Sequence, residues 1–303
     1  TGIITAIKVF ANSPAFEAGM LPGDILYQVD GEAVTGKDLD LVVKENIRGE
    51  EGTYVDITVL RGENAEETPL HVERRSIEVP TVEYQMLENQ VGYIYVTQFD
   101  EVTAKQFEDA IDDLEDQGME KLVIDLRNNP GGVLDTAVEM LAYVLPEDKL
   151  DGMLVYTADK NGEGDRYFCK DGKIQRESDD GSRDSRYPKE DDHELDVPLA
   201  VLVNGNSASA SEVFTGAVMD YDAGIVVGTT TFGKGIVQNL IPLGDGTAIK
   251  LTTAHYYTPN GFDLHGKGLE PDVVVEMDEE LQKKAVVELS EDNQLQAAIE
   301  AMN

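Results

Sequence analysis

The chain has 303 residues, which predicts two domains, and its 41% hydrophobic and 28% charged residues are typical of a folded globular protein. There are 60 acidic residues against 24 basic ones, and the formal net charge of -36 repels phosphate backbones and anionic lipid surfaces, so we expect no nucleic-acid partner. The single cysteine, Cys169, excludes an internal disulfide and a cysteine-based metal cluster.

Residues 1–77 are predicted to form a small domain of short strands. The segments "GIITAIKVF" and "YVDITVLRG" alternate β-branched and polar residues, and "DILYQVDGEAV" carries an Asp-Gly turn between two strands. The segment "NSPAFEAGMLPGD" predicts a helical turn that starts at Pro14 and ends at Gly19. The spacing in "GKDLDLVVKENIRG" predicts a short amphipathic helix.

Residues 78–303 are predicted to form a second domain in which strands and helices alternate. "VGYIYVTQF", "KLVIDL", "VPLAVLVN" and "AGIVVG" are predicted strands, and "TAKQFEDAIDDLEDQG" and "VLDTAVEMLAYVL" are predicted helices. A last helix is predicted over about 279–302. This order favours an α/β core with a buried parallel sheet.

Two further features of the chain concern its surface and its start. The polar stretch 161–196 is predicted to form a hairpin and a mobile acidic loop at the surface of the second domain. The chain opens on Thr1, without a basic-then-apolar start and without an apolar run of the roughly 18 residues that span a bilayer. We therefore expect any targeting segment to lie upstream.

Three serines, Ser207, Ser209 and Ser211, stand between the buried strand "VPLAVLVN" and a predicted helix. A hydroxyl there lies beside unpaired N–H groups at the positive end of a helix dipole, which suits a nucleophile whose attack creates an oxyanion. The same residues also suit helix capping, because Ser209 and Glu212 have the S-x-x-E spacing of a capping box and Ser211 could be the N-cap. The residues alone leave both alternatives open.

A catalytic serine also needs a base. The four histidines are His71, His193, His255 and His265, no G-x-S-x-G elbow is present, and we interpret the last two histidines as structural.

The alternative base is Lys234, between two glycines in "TTTFGKGIVQ". A lysine base must be neutral, which burial in an apolar pocket favours. Gln238 could orient the amine if that stretch is helical or curls back, whereas the competing interpretation is a solvated Gly-Lys-Gly turn. A phosphate loop is excluded because the pattern G-x-x-x-x-G-K-[ST] is absent.

The segment "DLRNNPGG" ends a predicted buried strand and opens a helix near Val133. Such a loop can present backbone N–H groups to an oxyanion, although the same residues are ordinary in a strand-to-helix turn.

The segments "RNNPGG", "NSASASE", "TFGKGIVQ" and "TTAHYYTPNGFDLHGKGLEPD" occur together in this order, and the chain thereby resembles the carboxy-terminal processing peptidases, serine peptidases with a Ser-Lys dyad. The segment "SPAFEAGMLPGDILYQVDGEAV" resembles their PDZ domain. The resemblance covers nearly the whole chain. It implies a mixed α/β (α+β) peptidase core of ClpP/crotonase-like type and an N-terminal PDZ domain whose first strand and carboxylate-binding loop lie upstream of Thr1.

The resemblance also implies roles for single residues. Ser209 would be the nucleophile, Lys234 the general base and Gln238 the residue that supports the lysine. The N–H groups of Ala210 and Gly132 would form the oxyanion hole. The two other serines would be structural, with Ser211 as a helix cap, and no metal or cofactor is implied.

The same resemblance implies protein or peptide substrates with exposed C-terminal tails, which a PDZ domain binds by strand addition. It implies an extracytoplasmic, bacterial setting, and it allows a homo-oligomer. Two other functions compete with proteolysis. A non-catalytic peptide-binding scaffold would not need Ser209, Lys234 and Gln238 together, and an acyl-CoA-processing enzyme would need a basic phosphate site that this acidic chain lacks.

Overall fold

The structure is a computed structural model that describes residues 2–11, 13–62, 64–145, 152–170, 173–186, 195–244, 246–284 and 287–303. The chain divides into two compact units, Thr1–Pro80 and Thr81–Asn303. The division lies three residues beyond the end of the first predicted domain at residue 77.

The first unit is an antiparallel sheet with short helical segments. Its strands are β1 (Ile4–Thr5), β2 (Ile25–Val29), β3 (Glu32–Ala33), β4 (Tyr54–Arg61) and β5 (Glu66–Glu73). They follow the order β1-β2-β4-β5, with β3 paired to β2. The inward-facing residues Val29, Val55, Ile57 and Val59 are buried and form the core, as strand alternation requires.

Two side-chain caps explain the helical segments of this unit. The helix α1 (Pro14–Glu17) has Ser13 as its N-cap, whose hydroxyl accepts the Phe16 N–H at 3.2 Å. The helix α2 (Leu39–Leu41) begins after Asp38, whose carboxylate accepts the Leu41 N–H at 3.1 Å, and it continues as a π-helical stretch over Val42–Ile47.

The second unit contains a six-stranded sheet with the order β17-β14-β13-β8-β7-β6. Its strands are β6 (Val82–Met86), β7 (Val91–Val96), β8 (Lys121–Asp125), β13 (Leu199–Val203), β14 (Ile225–Gly228) and β17 (Val273–Val274). All neighbouring pairs are parallel except β6 with β7. The carboxyl ends of β8 and β13 therefore meet at one edge, where they deliver the "RNNPGG" and "NSASASE" loops side by side.

Helices cover both faces of this sheet. They are α3 (Thr103–Asp116), α4 (Leu134–Val144), α5 (Ala210–Asp220) and α6 (Asn293–Ala301). The first three share one hydrophobic cluster with sheet residues such as Ile124, whereas α6 packs through Leu295 against Val123 and Leu202 on the opposite face. The predicted α/β layering follows from strands that are apolar on both sides.

A second sheet in this unit is antiparallel, with the order β12-β11-β10-β9-β16-β15. Its strands are β9 (Gly152–Ala158), β10 (Asp165–Lys170), β11 (Lys173–Ser178), β12 (Arg183–Arg186), β15 (Ile236–Pro242) and β16 (Ala248–Tyr257). Within its described residues, the stretch 161–196 contributes three of these strands, β10, β11 and β12, where a hairpin and a mobile loop were predicted. Residues 187–194 of that stretch lie outside the described residues.

The C-terminal segment differs from its prediction. Residues 279–283 form turns, and the helix α6 begins only at Asn293. Asp292 is the N-cap, and its carboxylate accepts the N–H groups of Gln294 and Leu295 at 3.0 Å. The predicted helix over 279–302 is therefore wrong before this cap. None of the helices in the described ranges has the length and apolar character needed to cross a membrane.

Candidate active site

Ser209 occupies a strained position at the start of α5. It is the N-cap of the helix, with φ 58° and ψ -114°, a region that residues other than glycine seldom adopt. Such a conformation costs on the order of 1–3 kcal/mol and persists only where the surrounding structure enforces it. The Ser209 side chain is half-buried, so it stays accessible from one side.

The two flanking serines, Ser207 and Ser211, hold the serine loop (residues 204–209) against the loop that follows β8. The Ser207 hydroxyl donates to the Leu126 carbonyl at 2.7 Å and accepts the Asn204 N–H at 2.9 Å. The Ser211 hydroxyl donates to the Asn129 carbonyl at 3.0 Å. Both side chains are fully buried. The prediction that Ser211 caps the helix is wrong, because Ser209 occupies the cap position.

The buried carboxylate of Glu212 joins the serine loop to the lysine loop (residues 229–235). Glu212 Oε2 accepts the backbone N–H of Ser209 at 2.9 Å and that of Lys234 at 2.8 Å. Its Oε1 accepts the Thr231 hydroxyl at 2.6 Å and the Gly233 N–H at 2.7 Å. One fully buried side chain therefore fixes the backbone of both predicted catalytic residues. The S-x-x-E spacing predicted only the contact to Ser209.

Lys234 lies in a tightly packed turn. A Cβ added to Gly233 would lie 2.9 Å from the Gly268 nitrogen, and one added to Gly235 would lie 2.8 Å from the His265 nitrogen. Only glycine permits this approach to the segment that follows β16. The Lys234 side chain is half-exposed, and its amine makes no hydrogen bond to Ser209 or Gln238, all three of which lie in the described part of the chain.

Gln238 lies on β15, not on a helix, so the condition under which it could orient Lys234 is not met in this structure. Lys234 lies before the start of this strand, and the pairing of β15 with β16 shifts register between Val237 and Gln238. The Gln238 side chain is exposed, and its amide donates to Thr252 Oγ1 at 3.4 Å. The structure thus does not bring Gln238 to the lysine.

The loop after β8 is held by Asn129, whose side chain is fully buried. Its amide donates to the Val96 carbonyl at 2.8 Å and its side-chain oxygen accepts the Gly131 N–H at 2.9 Å. Its main-chain carbonyl also accepts the Ala208 N–H at 3.0 Å. The two loops therefore form one hydrogen-bonded assembly.

Two backbone N–H groups in this assembly, those of Gly132 and Ala210, have no acceptor among the described residues. Phe99 donates to the Gly131 carbonyl at 3.1 Å and accepts the Val133 N–H at 2.9 Å, so the intervening Gly132 N–H points away from Phe99. Ala210 is the first residue of α5, and its N–H has no acceptor within the helix.

Gly131 brings this loop directly against the serine. A Cβ added to Gly131 would lie 2.8 Å from both Ser209 Cβ and the Ala210 nitrogen. The arrangement can present two N–H donors beside a nucleophile.

The histidines in the described part of the chain lie outside this arrangement. The rings of His255 and His265 lie edge to face with centroids 5.0 Å apart, and His255 Nδ1 is 3.5 Å from Asp263. His71 belongs to the first unit, where it contacts Asp56 at 2.6 Å, and His193 lies outside the described residues. Among the described residues, no histidine contacts Ser209.

Comparisons with known proteins identify the family of this chain. Residues 90–275 match the family described as Peptidase family S41, and residues 8–61 match a PDZ domain. A probable CtpA-like serine protease of Staphylococcus aureus (strain bovine RF122 / ET3-1) is 39% identical over 264 residues, which cover 87% of this chain and 48% of the relative. A relative with the same description in Staphylococcus haemolyticus (strain JCSC1435) has the same identity and coverage. The chain thus spans about half the length of these curated relatives.

Solved structures show the same fold. The photosystem II D1 C-terminal processing protease matches with a TM-score of 0.52 at 29% identity, over 91% of this chain and 69% of its own. A putative S41 protease from Bacteroides fragilis matches with a TM-score of 0.58 at 18% identity, over 99% and 79%. The predicted resemblance and the predicted fold class are confirmed, and the chain belongs to peptidase family S41, with an N-terminal PDZ domain.

Proposed function

We propose that this chain is a serine endopeptidase that cleaves near the C-termini of protein substrates, with Ser209 as nucleophile and Lys234 as general base. The observation that carries the proposal is the Glu212 carboxylate, which binds the backbone N–H groups of both residues. Ser207 and Ser211 have their hydroxyls committed to the neighbouring loop, which leaves Ser209 as the reactive candidate. The names of the staphylococcal relatives support a serine protease.

The reaction would proceed through an acyl-enzyme. The neutral amine of Lys234 takes the proton of the Ser209 hydroxyl, and the oxygen attacks the peptide carbonyl. The N–H groups of Ala210 and Gly132 stabilise the oxyanion. Lys234 then gives the proton to the leaving amine, and a water that it activates releases the acyl group from Ser209.

Because the Lys234 amine does not contact Ser209 Oγ in the structure, we infer that substrate binding completes the dyad. The half-exposed lysine side chain can rotate while its backbone stays bound to Glu212. Gln238 would support the amine in that state. The exchange costs little, since Gln238 gives up only an exposed, long hydrogen bond to Thr252.

The PDZ domain would bind the exposed tail of the substrate by strand addition. The structural likeness to a protease named for C-terminal processing supports cleavage near that tail. A bacterial, extracytoplasmic setting remains part of this proposal, as the family resemblance implies.

The test is degradation of an unfolded protein with an apolar C-terminus by the parent chain, Ser209→Ala and Lys234→Ala. Matched controls are Ser290→Ala and Lys160→Ala, which change exposed residues of the same types. We expect cleavage by the parent and both controls, and a loss of at least about 1,000-fold in the two site variants. Cleavage that survives Ser209→Ala would show a different nucleophile. Tail binding without cleavage by the parent would indicate a peptide-binding scaffold.

A further inference from the structure

Arg127 lies at the centre of a buried polar cluster on the α6 side of the sheet. Its Nη2 donates to Asp125 at 2.6 Å and to Asp292 at 2.7 Å, and its Nη1 donates to Asp292 at 3.1 Å and to Gln294 Oε1 at 2.9 Å. Its Nε donates to both Asp125 oxygens at 3.0 Å, and the Tyr93 hydroxyl donates to the same carboxylate at 2.7 Å. The guanidinium thus has a partner for every nitrogen.

Such a cluster contributes little net free energy to the stability of a fold. Arg127 is 7% exposed, Asp125 2% and Asp292 3%, so three charges have left water. Desolvation offsets much of the attraction in a buried ion pair, and apolar residues of similar volume often stabilise a protein equally well. What the cluster does provide is a fixed position for Arg127, whose backbone N–H donates to Asp125 at 2.9 Å and whose guanidinium is held by both carboxylates.

That backbone opens the loop that carries the proposed oxyanion donor. Arg127 is followed by Asn128, which has a positive φ of 62°, and by Asn129, whose carbonyl holds Ala208 and Ser211. The loop is therefore held from the α5 side by Asn129 and from the α6 side by Arg127.

The far end of the cluster belongs to a different element. Asp292 caps α6 and binds Arg127 with the same carboxylate. The helix packs against the sheet through Leu295, which is fully buried. The position of the C-terminal helix is thereby transmitted to the loop through one guanidinium.

We propose that Arg127 and Asp292 are positioning residues for the oxyanion loop (residues 126–133). In this proposal α6 is the anchor that keeps Gly132 in place beside Ser209. The inference rests on the proposed function. It assigns a catalytic consequence to a contact whose two residues are 165 positions apart in the chain.

Asp292→Asn tests the pair without removing the helix cap. Asparagine caps helices as well as aspartate does, so the N–H groups of Gln294 and Leu295 keep their acceptor while the charge that holds Arg127 is lost. Leu114→Ala is the matched control, because it removes a fully buried apolar side chain from α3 and leaves α6 and the polar cluster intact, at about 2–5 kcal/mol. Arg127→Met removes the guanidinium, and Arg127→Lys is its conservative counterpart.

The measurement is kcat and KM for an unfolded protein substrate, at a temperature where each variant is folded by circular dichroism. Since misplacing a catalytic group by about 1 Å costs up to roughly 100-fold, we expect kcat to fall about 10- to 100-fold in Asp292→Asn and Arg127→Met, with KM within about 2-fold. We expect Arg127→Lys to retain more kcat than Arg127→Met, and Leu114→Ala to lower Tm with unchanged kcat. Equal kcat in Asp292→Asn and Leu114→Ala would overturn the proposal.

Amide hydrogen exchange gives a readout that does not depend on turnover. We expect faster exchange over 126–133 in Asp292→Asn than in Leu114→Ala. A parent chain that cleaves nothing but shows this difference would contradict the proposed function and leave the positioning contact supported. A parent that cleaves, with no such difference and no fall in kcat, would contradict the positioning role alone.

Discussion

The two serine hydroxyls and the asparagine side-chain amide that neighbour Ser209 are buried and hydrogen-bonded, whereas the side chain of Lys234 is half-exposed and that of Gln238 faces solvent. The proposed nucleophile and the proposed oxyanion loop are therefore ordered before a substrate binds. The backbone of the lysine shares this order through Glu212, but its amine does not. We therefore expect the two halves of the site to respond differently to substitution. Changes in the nucleophile half, around Ser209, should affect folding and catalysis together. Changes in the lysine half, around Lys234 and Gln238, should affect catalysis alone.

Outside the proposed dyad, we expect a large loss of activity from Gly131→Ala. A Cβ there would lie 2.5 Å from the Ala208 carbonyl oxygen and 2.8 Å from Ser209 Cβ, and φ is +92°. We expect a loss of more than about 100-fold in kcat from the displaced serine. Gly162→Ala is the control, because its φ is +85° and no atom lies within 4 Å. It should cost about 1–2 kcal/mol of stability and leave kcat intact. Steady-state proteolysis and thermal melts check both, and an active Gly131→Ala would show that the loop is not rigid.

Ser207→Ala tests the rigidity of the nucleophile half by a smaller change. It leaves the Leu126 carbonyl and the Asn204 N–H without their partner in a buried site, at about 2–4 kcal/mol. We expect a lower urea midpoint and a fall in kcat of roughly 10-fold, because the serine loop loosens. The exposed Ser290→Ala should stay within about 0.5 kcal/mol of the parent. A Ser207→Ala protein with parental stability and kcat would be inconsistent with a rigid nucleophile half.

Gln238→Ala tests the lysine half. The residue is exposed and its hydrogen bond to Thr252 is long, so the free energy of unfolding should change by less than about 0.5 kcal/mol. If Gln238 supports the amine once substrate binds, kcat should fall about 10-fold, the lower end for a group that assists acid–base chemistry. Asn239→Ala, one residue further on the same strand, is the matched control. Equal kcat for both variants would remove Gln238 from the mechanism.

Asp24→Asn in the first unit should have the smallest effect on catalysis. The Arg61 guanidinium holds the pKa of Asp24 below its ordinary value of 3.8. A lowered pKa stabilises the folded state above the unfolded-state pKa, and this contribution disappears as pH falls through the lower folded-state pKa. We expect the substitution to cost about 1–3 kcal/mol at pH 7 and progressively less below about pH 4. Urea melts of the parent chain and of Asp24→Asn from pH 7 to 2.5 measure this difference in the free energy of unfolding. A difference that does not change with pH would argue against the ion pair.

The sequence predicted the order of the helices and strands but not the hydrogen bonds by which Glu212 joins the two loops of the site. Hydrophobic periodicity predicted β8, α3, α4 and β13, because each must bury a defined face. The spacing of Ser209 and Glu212 predicted the local half of the carboxylate's role. Its other partners lie 19 to 22 residues later, and nothing in the intervening sequence indicates that the chain returns.

Two local predictions were wrong for a related reason. The segment before Asp292 has helical periodicity, yet the buried Asp292 carboxylate binds Arg127 and caps α6 at that point. Ser211 has the right residue type for a cap, yet its hydroxyl bonds Asn129 on another loop. In both cases a tertiary hydrogen bond decided the role of a residue whose local pattern allowed several.

The most direct test of the account is the kcat of Glu212→Gln, compared with Asp24→Asn as a buried-carboxylate control outside the site. A glutamine can accept from only one of the two groups of donors that Glu212 binds, and its NH₂ group would face N–H groups on the other side. We predict a fall in kcat of at least about 100-fold at temperatures where the variant is folded, and parental kcat for Asp24→Asn. A folded Glu212→Gln enzyme with more than half of the parental kcat would contradict the central claim that this carboxylate aligns the serine with the lysine.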